Sequence, residues 1–508
     1  MTARKRRATE RTDPSVGTGR AQPYIRALIK YSSRAITIAN KTLAQFDHQR
    51  CRGYFDMYSN YLYQHGLEAI RSLSDKNGIL ASSRSEMFGC VFGRDSAITG
   101  LTLLTVFEKS REPVLIEIVQ RIILALSRLQ GQGVNIESGE EPGKCIHEYR
   151  PTDHDHLTNP LKTGENKPWH VYSDGVMRIF DTVDATPLYL ILVSNFVEIT
   201  GDHSILHTIG FNVRLALTWL LSYADSNNDG LIDYQLHPDR KCGGLAVQSW
   251  MDSGESTFFE DSDRRPQYPI APVEAQAYAY SALRAWAHCC GKANQNLPAI
   301  LSDAVFATTL DKRATLLKRV FNKAYPIISH GRAMLAYAID GRGNKLTACR
   351  STMGHVLWAD FHGDSIIESP QLKQQIVNRM MQNDMFERNV GLRTLSRASA
   401  RFDASSYHNG SIWPHDTGIA AEGMRRHGFH KEANLLREGL KNVYEFFKTP
   451  IELFVSTEHG LSEYSHRNGG RACMVQAWSA ATMMATSLFG QTLRPNEDSR
   501  SGRTTIVV

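Results

Sequence analysis

One short segment of the chain, from Ser405 to Asp416, concentrates side chains that suit a sugar-binding pocket. Aromatic rings stack on the apolar face of a sugar, while amide and imidazole groups form hydrogen bonds with its hydroxyls. The Asn409-Gly410 pair indicates a turn, and apolar residues at helical spacing after Pro414 indicate that a helix begins there. The segment could instead be a buried polar turn that only pins one loop. Its candidate binding residues are Tyr407, His408, Asn409, Trp413, His415 and Asp416.

Three carboxylates elsewhere in the chain have neighbours that would suit acid or base catalysis. Asp252 follows Trp250 in a turn-prone segment, Glu452 lies between apolar residues, and Glu463 precedes Tyr464. An apolar environment raises the pKa of a carboxyl group. Glycoside hydrolysis needs two such groups across the scissile bond, one that donates a proton and one that activates water or attacks. Each acid could also be a helix cap or a surface charge, so the hypothesis requires that distant loops converge.

The composition of the 508-residue chain is that of an ordinary globular protein and excludes several classes. Hydrophobic residues make up 42% and charged residues 22% of it. No apolar run reaches the roughly 18 residues of a membrane span. The cysteines form no CxxC pair and the histidines no HExxH pattern, and neither a phosphate-binding glycine loop nor a GxSxG elbow occurs. We therefore expect no metal, no cofactor and no membrane partner.

Much of the net charge of +6 lies in a basic N-terminal arm. Residues 1–22 have the composition of a disordered segment, which favours a solvated arm over nucleic-acid binding. The arm has no apolar core that would make it a secretory signal, and the few cysteines suit a reducing compartment, so a cytoplasmic protein is predicted. Residues 23–490 contain no linker and are predicted to form one domain, followed by a flexible tail over residues 491–508.

Amphipathic segments alternate with polar loops throughout the predicted domain. Strand-like alternation is scarce, so an all-α body is expected. The polar loops recur at intervals that match the length of a helix pair. This recurrence predicts a closed array of about six helical hairpins, with the polar loops gathered along one rim. The predicted helical runs are Leu101–Leu129, Thr186–Glu198, Ile205–Ala224, Val273–Ala287, Ala304–Phe321, Gln371–Met381, Lys431–Phe447 and Met474–Phe489.

A series of short motifs occurs in a fixed order between Tyr24 and Gly490. The motifs are Phe92–Asp95, Pro142–Glu148, Thr182–Pro187, Trp250–Ser253, Pro269–Pro272, Tyr407–Asp416, Glu452–Phe454 and Gln476–Trp478. Together they resemble the glucosidase domain of glycogen-debranching enzymes, the amylo-alpha-1,6-glucosidase family, and such a series is more specific than any one motif. The resemblance implies an (α/α)6 barrel of the six-hairpin glycosidase type and an inverting mechanism.

The resemblance also implies roles for individual residues. Asp252 matches the general acid of the family. Glu452 and Glu463 each match one form of its second carboxylate, and Glu452 is preferred although Ile451 replaces the family's proline before it. The implied sugar-pocket residues outside the 405–416 segment are Arg94, Asp95, His147, Glu148, Asp184 and Trp250.

These patterns predict an inverting, exo-acting hydrolase of an α-glucoside, with a carbohydrate as its partner and its oligomeric state open. We expect no β-rich module of the kind that often precedes this domain in the family. The sequence therefore does not decide whether the substrate is a glycogen limit dextrin or a short oligosaccharide or small glycoside. A sugar epimerase on a related helical barrel is a second hypothesis, and it would use His355, His408 and His415 as acid and base. A third is a carbohydrate-binding protein without activity.

Overall fold

The computed structural model describes residues 48–488, apart from residues 165, 292–296, 330 and 466–469. The chain divides into two compact units, residues 1–60 and residues 61–508. The described part of the first unit is the beginning of helix α1 (His48–Leu73). The predicted basic arm over residues 1–22 and the predicted tail over residues 491–508 lie outside the described residues.

The second unit is an (α/α)6 barrel made of two layers of helices. The inner layer consists of α2 (Gly93–Ser110), α5 (Ala185–Thr200), α7 (Val273–Gly291), α9 (Thr352–Trp358), α11 (Pro414–Arg426) and α13 (Ala477–Ser487). The outer layer consists of residues 61–73 of α1, α3 (Pro113–Arg128), α6 (Ser204–Ser222), α8 (Ala304–Ala324), α10 (Pro370–Met380) and α12 (His430–Phe447). Each inner helix contacts the next inner helix, and α13 contacts α2, so the ring is closed.

The two layers differ in how much of each helix is buried. In the inner helix α13 every residue except Ala485 is buried, because neighbouring helices cover it on all sides. The outer helix α12 buries a stripe that includes Ala433, Leu436, Leu440 and Val443, which is the spacing of one helix face. The difference explains why α12 shows clear amphipathic periodicity in the sequence, whereas α13 consists almost entirely of apolar and small residues.

Helices α9 and α11 approach each other closely at two glycines. A Cβ atom on Gly354 would lie 2.5 Å from the Cβ of Ala420, and a Cβ atom on Gly423 would lie 2.7 Å from the backbone nitrogen of Trp358. Only glycine permits this contact, since any side chain there would push the helices apart. The close contact holds α9, which has seven residues, in the ring.

The predicted helical run Leu101–Leu129 is wrong as a single element, because it contains the turn between two helices. Helix α2 ends at Ser110, Arg111 has a left-handed φ of 56°, and α3 begins at Pro113. A left-handed residue ends an α-helix, and proline suits the first position of the next one. The other predicted runs correspond to α5, α6, α7, α8, α10, α12 and α13, with ends displaced by a few residues. Helix α9 is too short to show a clear period in the sequence.

The strands are short, pair antiparallel and lie in the loops between the helices. They are β1 Ser74–Asp75, β2 Gly78–Ile79, β3 Val91–Phe92, β4 Glu148–Arg150, β5 Met177–Ile179, β6 Ala271–Pro272, β7 Pro326–Ser329, β8 Arg332–Leu335, β9 Ala338–Ile339, β10 Lys345–Leu346, β11 Asp360–Phe361, β12 Asp364–Ser365, β13 Phe386–Glu387, β14 Gly391–Leu392, β15 Phe454–Thr457 and β16 Gly460–Glu463. A further short helix, α4, spans Asp155–Thr158. Strands β3, β4 and β5 form one sheet, in which Glu148 lies opposite Phe92 and Ile179.

One described helix, α6 (Ser204–Ser222), is long and apolar enough to cross a membrane by length and composition alone. Half of the tested window is buried inside the barrel. The buried residues include Val213, Leu217 and Leu220, so packing in the barrel core accounts for the apolar character of this helix.

Candidate active site

The chemistry-bearing residues gather at the end of the barrel where the inner helices begin. Arg94 and Asp95 lie in the first turn of α2, and Trp413 precedes the first residue of α11. Gln476 and Trp478 lie at the start of α13. The first turns of helices carry free N–H groups and a partial positive charge, so this end of the ring suits hydroxyl and carboxylate groups.

A cavity with an empty volume of about 430 Å³ opens at this end of the barrel. The loop after α6 contributes Asp252 to the lining, and the loop after α12 contributes Glu452, so two carboxylates far apart in the chain meet in one cavity. The lining consists of Phe88, Phe92, Arg94, Asp95, His147, Trp250, Asp252, Tyr407, His408, Trp413, Glu452, Gln476 and Trp478.

Indole rings form one wall of the cavity and hold one another in place. The Trp250 ring meets the Trp413 ring edge to face, with centroids 5.1 Å apart, and Trp413 meets Trp478 in the same way at 6.0 Å. Behind this wall, the His415 ring stacks on Trp478 at 3.7 Å. Edge-to-face packing is favourable and directional, so the wall is a rigid platform for a flat apolar face.

The carboxylate of Asp252 is held by Arg94, which also holds Asp184. Arg94 Nη1 lies 3.1 Å from Asp252 Oδ2, and Arg94 Nε lies 2.9 Å from Asp184 Oδ2. The side chain of Asp252 is 26% exposed, whereas Asp184 is fully buried. Burial raises the pKa of Asp252 to about 6, and the Asp184 and Glu148 carboxylates act in the same direction against Arg94.

The carboxylate of Glu452 is buried and oriented by two donors. The Tyr407 hydroxyl donates to Oε1 at 2.5 Å, and the backbone N–H of Cys473 donates to Oε2 at 2.8 Å. Burial raises the pKa of Glu452 to about 7, although both hydrogen bonds favour the ionised form. Each donor binds one carboxylate oxygen, so the orientation of the group is determined in the free protein.

A third carboxyl group, that of Asp95, lines the same cavity. The Gln476 amide donates to Asp95 Oδ1 at 3.3 Å. Burial raises the pKa of Asp95 to about 7; Arg94 opposes this shift, and the charges of Asp252 and Glu452 add to it. The cavity can therefore hold an exchangeable proton near neutral pH, because three acids compete for it.

The two candidates for the second carboxylate have opposite positions. Glu452 lines the cavity, whereas Glu463 is an exposed residue of strand β16 that lies opposite Phe454 in β15. The β15–β16 hairpin carries the side chain of Glu463 outside the residues that line the cavity. The position of Glu452 favours it over Glu463 as the partner of Asp252.

Some of the predicted sugar-pocket residues line the cavity, and the others lie behind it. The lining members are Arg94, Asp95, His147, Trp250, Tyr407, His408 and Trp413. The members outside the lining are Glu148, Asp184, Asn409, His415 and Asp416. Members of the second group are buried and contact other protein groups.

The contacts of this second group are specific. Glu148 pairs with Arg150, and the Asn409 Oδ1 atom accepts a hydrogen bond from Arg350 at 2.7 Å. Asp416 Oδ1 lies 2.8 Å from His355 Nε2. The positions of one motif therefore divide between the cavity and the core.

Phe88, Phe92, Gln476 and Trp478 line the cavity but are absent from the predicted site residues. Three of them have a signal in the sequence, because Phe92 and the Gln476–Trp478 motif come directly before or at the start of an inner helix. Phe88 has no comparable signal and reaches the cavity through the loop before β3.

The histidines that an epimerase would use do not share one position. Among His355, His408 and His415, only His408 lines the cavity. The His355 ring stacks beneath Trp250 with centroids 5.8 Å apart. Burial lowers the pKa of His408 and of His415 well below the usual value, so both are neutral near pH 7. No group of three or more metal-ligating side chains occurs among the residues that the structure describes.

A closed ring of helical hairpins with carboxyl groups in an aromatic-walled cavity defines the class, a glycoside hydrolase of the six-hairpin type. Residues 168–485 match the family of amylo-alpha-1,6-glucosidases, and the chain belongs to this family. No curated protein sequence matches the chain.

Solved structures with the same fold include the GH63 mannosylglycerate hydrolase from Thermus thermophilus. Its complex with Tris and D-glycerate has a TM-score of 0.56 at 14% identity, and its complex with glucose has 0.54 at 13%. Each match covers 84% of this chain and 99% of the hydrolase. A wild-type glycosidase has a TM-score of 0.53 at 12% identity and covers 87% of this chain and 98% of that one. At these identities the likeness concerns the fold.

Proposed function

We propose that this protein is an inverting, exo-acting hydrolase of an α-glucoside, in which Asp252 is the general acid and Glu452 the general base. One observation carries the proposal: the two carboxylates come from separate loops and line the same aromatic-walled cavity. In an inverting enzyme one group protonates the leaving oxygen while the other takes a proton from the attacking water. Membership of the amylo-alpha-1,6-glucosidase family supports an α-glucoside as the substrate.

The surroundings of the two carboxylates support these roles. The base must be ionised when water attacks, and Glu452 receives hydrogen bonds from Tyr407 and Cys473 that stabilise the ionised form. The acid must hold a proton when the glycosidic bond breaks, and burial together with the carboxylates of Asp184 and Glu148 raises the pKa of Asp252 to about 6 against the opposing Arg94. Because the pKa of Glu452 in the free protein is about 7, the proposed roles require that bound substrate move the proton from Glu452 to Asp252. The partial exposure of Asp252 to the cavity suits transfer of its proton to the leaving oxygen.

The shape of the cavity supports attack at a chain end. First-turn residues of α2 and α13, Asp95 and Trp478, form part of its lining. We infer that the first turns of these inner helices form the floor of the cavity, which would keep a glycan from passing through the ring. A terminal glucose residue would enter and the remainder of the substrate would stay at the mouth.

The charges of the lining support a neutral leaving group. Arg94 is the only cation among the described lining residues, and Asp184 and Asp252 already bind it. The remaining charged groups of the lining are Asp95, Asp252 and Glu452, all carboxyl groups. An acidic aglycone such as the D-glycerate bound to the Thermus hydrolase would meet carboxylates here, so neutral glucosides are the proposed substrates.

A matched pair of substrates tests this proposal. Glucosylglycerol and glucosylglycerate differ in one carboxylate, and we expect hydrolysis of the first at a kcat/KM at least tenfold above that of the second, since a like charge near the site costs about 1.4 kcal/mol or more. Isomaltose and a limit dextrin, incubated in parallel, report the linkage and chain length.

The stereochemistry of the first product separates inversion from retention. Proton NMR recorded early in the reaction should show β-glucose released from an α-glucoside before mutarotation. Early release of α-glucose would refute the inverting mechanism, and the absence of glucose from every α-glucoside would refute the proposed function.

A further inference from the structure

A second cavity lies close to the catalytic one and has a separate lining. It has an empty volume of about 800 Å³. Its walls are the loop between α3 and β4, the C-terminal end of α6 and the loop that follows α6. Representative lining residues are Glu141, Lys144, Tyr223, Asp233, Arg240 and Gln248.

Two segments of the chain contribute to both cavities. Thr182 and Val183 line the second cavity, and the adjacent Asp184 holds Arg94 of the catalytic cavity. Gln248 lines the second cavity, while Trp250 and Asp252 line the catalytic one. The two cavities are therefore only a few residues apart, and both are lined by segments that carry the family motifs.

The second cavity contains buried polar groups with remaining hydrogen-bonding capacity. Arg240 binds Asp181 through Nη1 at 2.6 Å and the Gly243 carbonyl through Nη2 at 2.6 Å, yet its Nε has no hydrogen-bond partner among the described residues. The side chain of Arg240 is 3% exposed. A buried donor without a partner is costly, so the guanidinium group of this lining residue keeps one hydrogen-bond donor unused.

Acceptors line the cavity as well. The Asp233 carboxylate, in a residue 6% exposed, accepts the backbone N–H of Ser226 at 3.2 Å from each oxygen. Glu141 accepts the Trp219 indole N–H at 2.7 Å. Each carboxylate oxygen can accept a further hydrogen bond, so the cavity offers donors and acceptors at the same time.

The combination of charges identifies the class of ligand. The charged lining residues are Glu140, Glu141, Lys144, Asp181, Asp233 and Arg240. Acids outnumber bases, which disfavours an anion, and the described residues form no metal-binding group. Hydroxyl groups both donate and accept, and the exposed Tyr223 ring in the lining offers apolar surface for a sugar ring.

We propose that this second cavity is a carbohydrate-binding site distinct from the catalytic cavity, and that it takes a neutral oligosaccharide. The cavity would hold sugar residues beyond those in the catalytic cavity, and it would keep a polymeric or oligomeric substrate near the active site. This proposal rests on the proposed function in one respect, since its test blocks the first cavity with a glucose mimic.

Calorimetric titration of the full-length protein with maltose tests the proposal. The catalytic cavity is first saturated with 1-deoxynojirimycin, a glucose mimic, so that remaining maltose binding reports the second cavity. We expect saturable binding under these conditions. Asp233→Asn keeps the shape and removes the charge, and should weaken binding about tenfold, the cost of a hydrogen bond to a charged group.

Matched variants separate ligand contacts from folding. Asp229→Asn changes a neighbouring exposed acid outside the cavity and should leave maltose affinity unchanged. Tyr223→Ala alters a residue that is 38% exposed, so it should weaken binding without lowering the thermal unfolding temperature, and it serves if Asp233→Asn does not fold. No maltose binding beside the inhibitor, or equal affinity in the Asp229, Tyr223 and Asp233 variants, would overturn the second site.

The outcomes also distinguish the two proposals of function. Binding that depends on Asp233 in a protein that hydrolyses no α-glucoside would refute the proposed reaction and support the second site. Hydrolysis of α-glucosides without maltose binding at the second cavity would support the proposed reaction and refute the second site.

Discussion

Two buried glutamates, near opposite ends of the inner helices, have opposite acid–base behaviour. Glu422 lies near the C-terminal end of α11, and Glu452 lines the cavity where the inner helices begin. Glu422 is 9% exposed and Glu452 is 1% exposed, so both lose most of their contact with water. The pKa of Glu422 nevertheless lies below its usual value, while burial raises the pKa of Glu452 to about 7.

Their hydrogen-bond partners account for the difference. Burial opposes the charge of Glu422, but Arg425, Arg426 and Arg437 all donate to its oxygens and outweigh that cost. Glu452 receives hydrogen bonds from a phenol and a backbone amide, both neutral. The comparison shows that charged partners keep Glu422 ionised, whereas the neutral partners of Glu452 do not offset the effect of burial on its pKa.

The largest effect should follow from Asp252→Asn, which removes the proposed acid without changing its size. We expect kcat for an unactivated α-glucoside to fall by about 10²–10⁴-fold, the usual contribution of general acid catalysis. Asp261→Asn, at an exposed position of the following loop, is the control and should keep wild-type activity. An Asp252→Asn enzyme with normal kcat would remove Asp252 from the mechanism.

Exchanging each candidate base in turn tests the position of the second carboxylate. Glu452→Gln should lower kcat about 10²–10⁴-fold as well, while Glu463→Gln should leave it within about twofold, because an exposed change of this kind has small effects. Initial rates of glucose release measure both. The reverse pattern would show that Glu463 reaches the reacting water and that the assignment of Glu452 is mistaken.

Tyr407→Phe removes one hydrogen bond to Glu452 and tests how the neutral partners set its pKa. The phenol stabilises the ionised form, so its loss should raise the pKa of Glu452 by about one unit. A base is lost to protonation as the pH falls, so kcat/KM should drop about tenfold at low pH and converge with the wild-type value at high pH.

The matched control is Tyr464→Phe, whose ring packs against Tyr407 with centroids 5.4 Å apart. It should leave the acidic limb of the pH profile in place. A uniform loss of activity at every pH in the Tyr407 variant would mean that the phenol contacts the sugar and does not tune Glu452.

At the opposite end of the barrel, Glu422→Gln should reduce stability and leave catalysis nearly unchanged. Loss of the charge weakens the hydrogen bonds with three arginines, and we expect the free energy of unfolding at pH 7 to fall by about 1–3 kcal/mol. Denaturant unfolding measures this loss, and kcat should stay within about twofold.

The sign of the pH effect follows from the lowered pKa of Glu422. Its contribution to stability is present above the usual glutamate pKa and is lost as the pH falls through the lowered one. The difference in stability between wild type and Glu422→Gln should therefore shrink in acid. A large loss of activity at neutral pH in this variant would show that the two ends of the barrel are coupled.

Several features of the molecule were predictable because they depend on local pattern. Helical periodicity located α5, α6, α7, α8, α10, α12 and α13, and the ordered motifs located the loops that build the cavity. The turn at Arg111 was not predicted, because the apolar spacing continues across it. Helix α9 was not predicted either, because it is too short to show a helical period.

Within the motifs, the sequence did not separate residues that line the cavity from those behind it. His408 and Asn409 are adjacent, yet His408 lines the cavity and Asn409 binds Arg350 in the core. A one-residue step in an irregular loop reverses the direction of a side chain, and only contacts with other elements determine which direction is taken. The same reason applies to Glu148, which pairs with Arg150 while the adjacent His147 lines the cavity.

The amino-acid sequence by itself determined the helical body, its hairpin count and the family, because periodicity and ordered motifs are properties of the linear chain. Only the tertiary structure decided between Glu452 and Glu463 as the neighbour of Asp252, because closure of the ring brings the loops after α6 and α12 to one cavity and the β15–β16 hairpin carries Glu463 away from it. The proton affinities of these carboxyl groups were likewise decided in three dimensions, since burial and partners from distant helices set them.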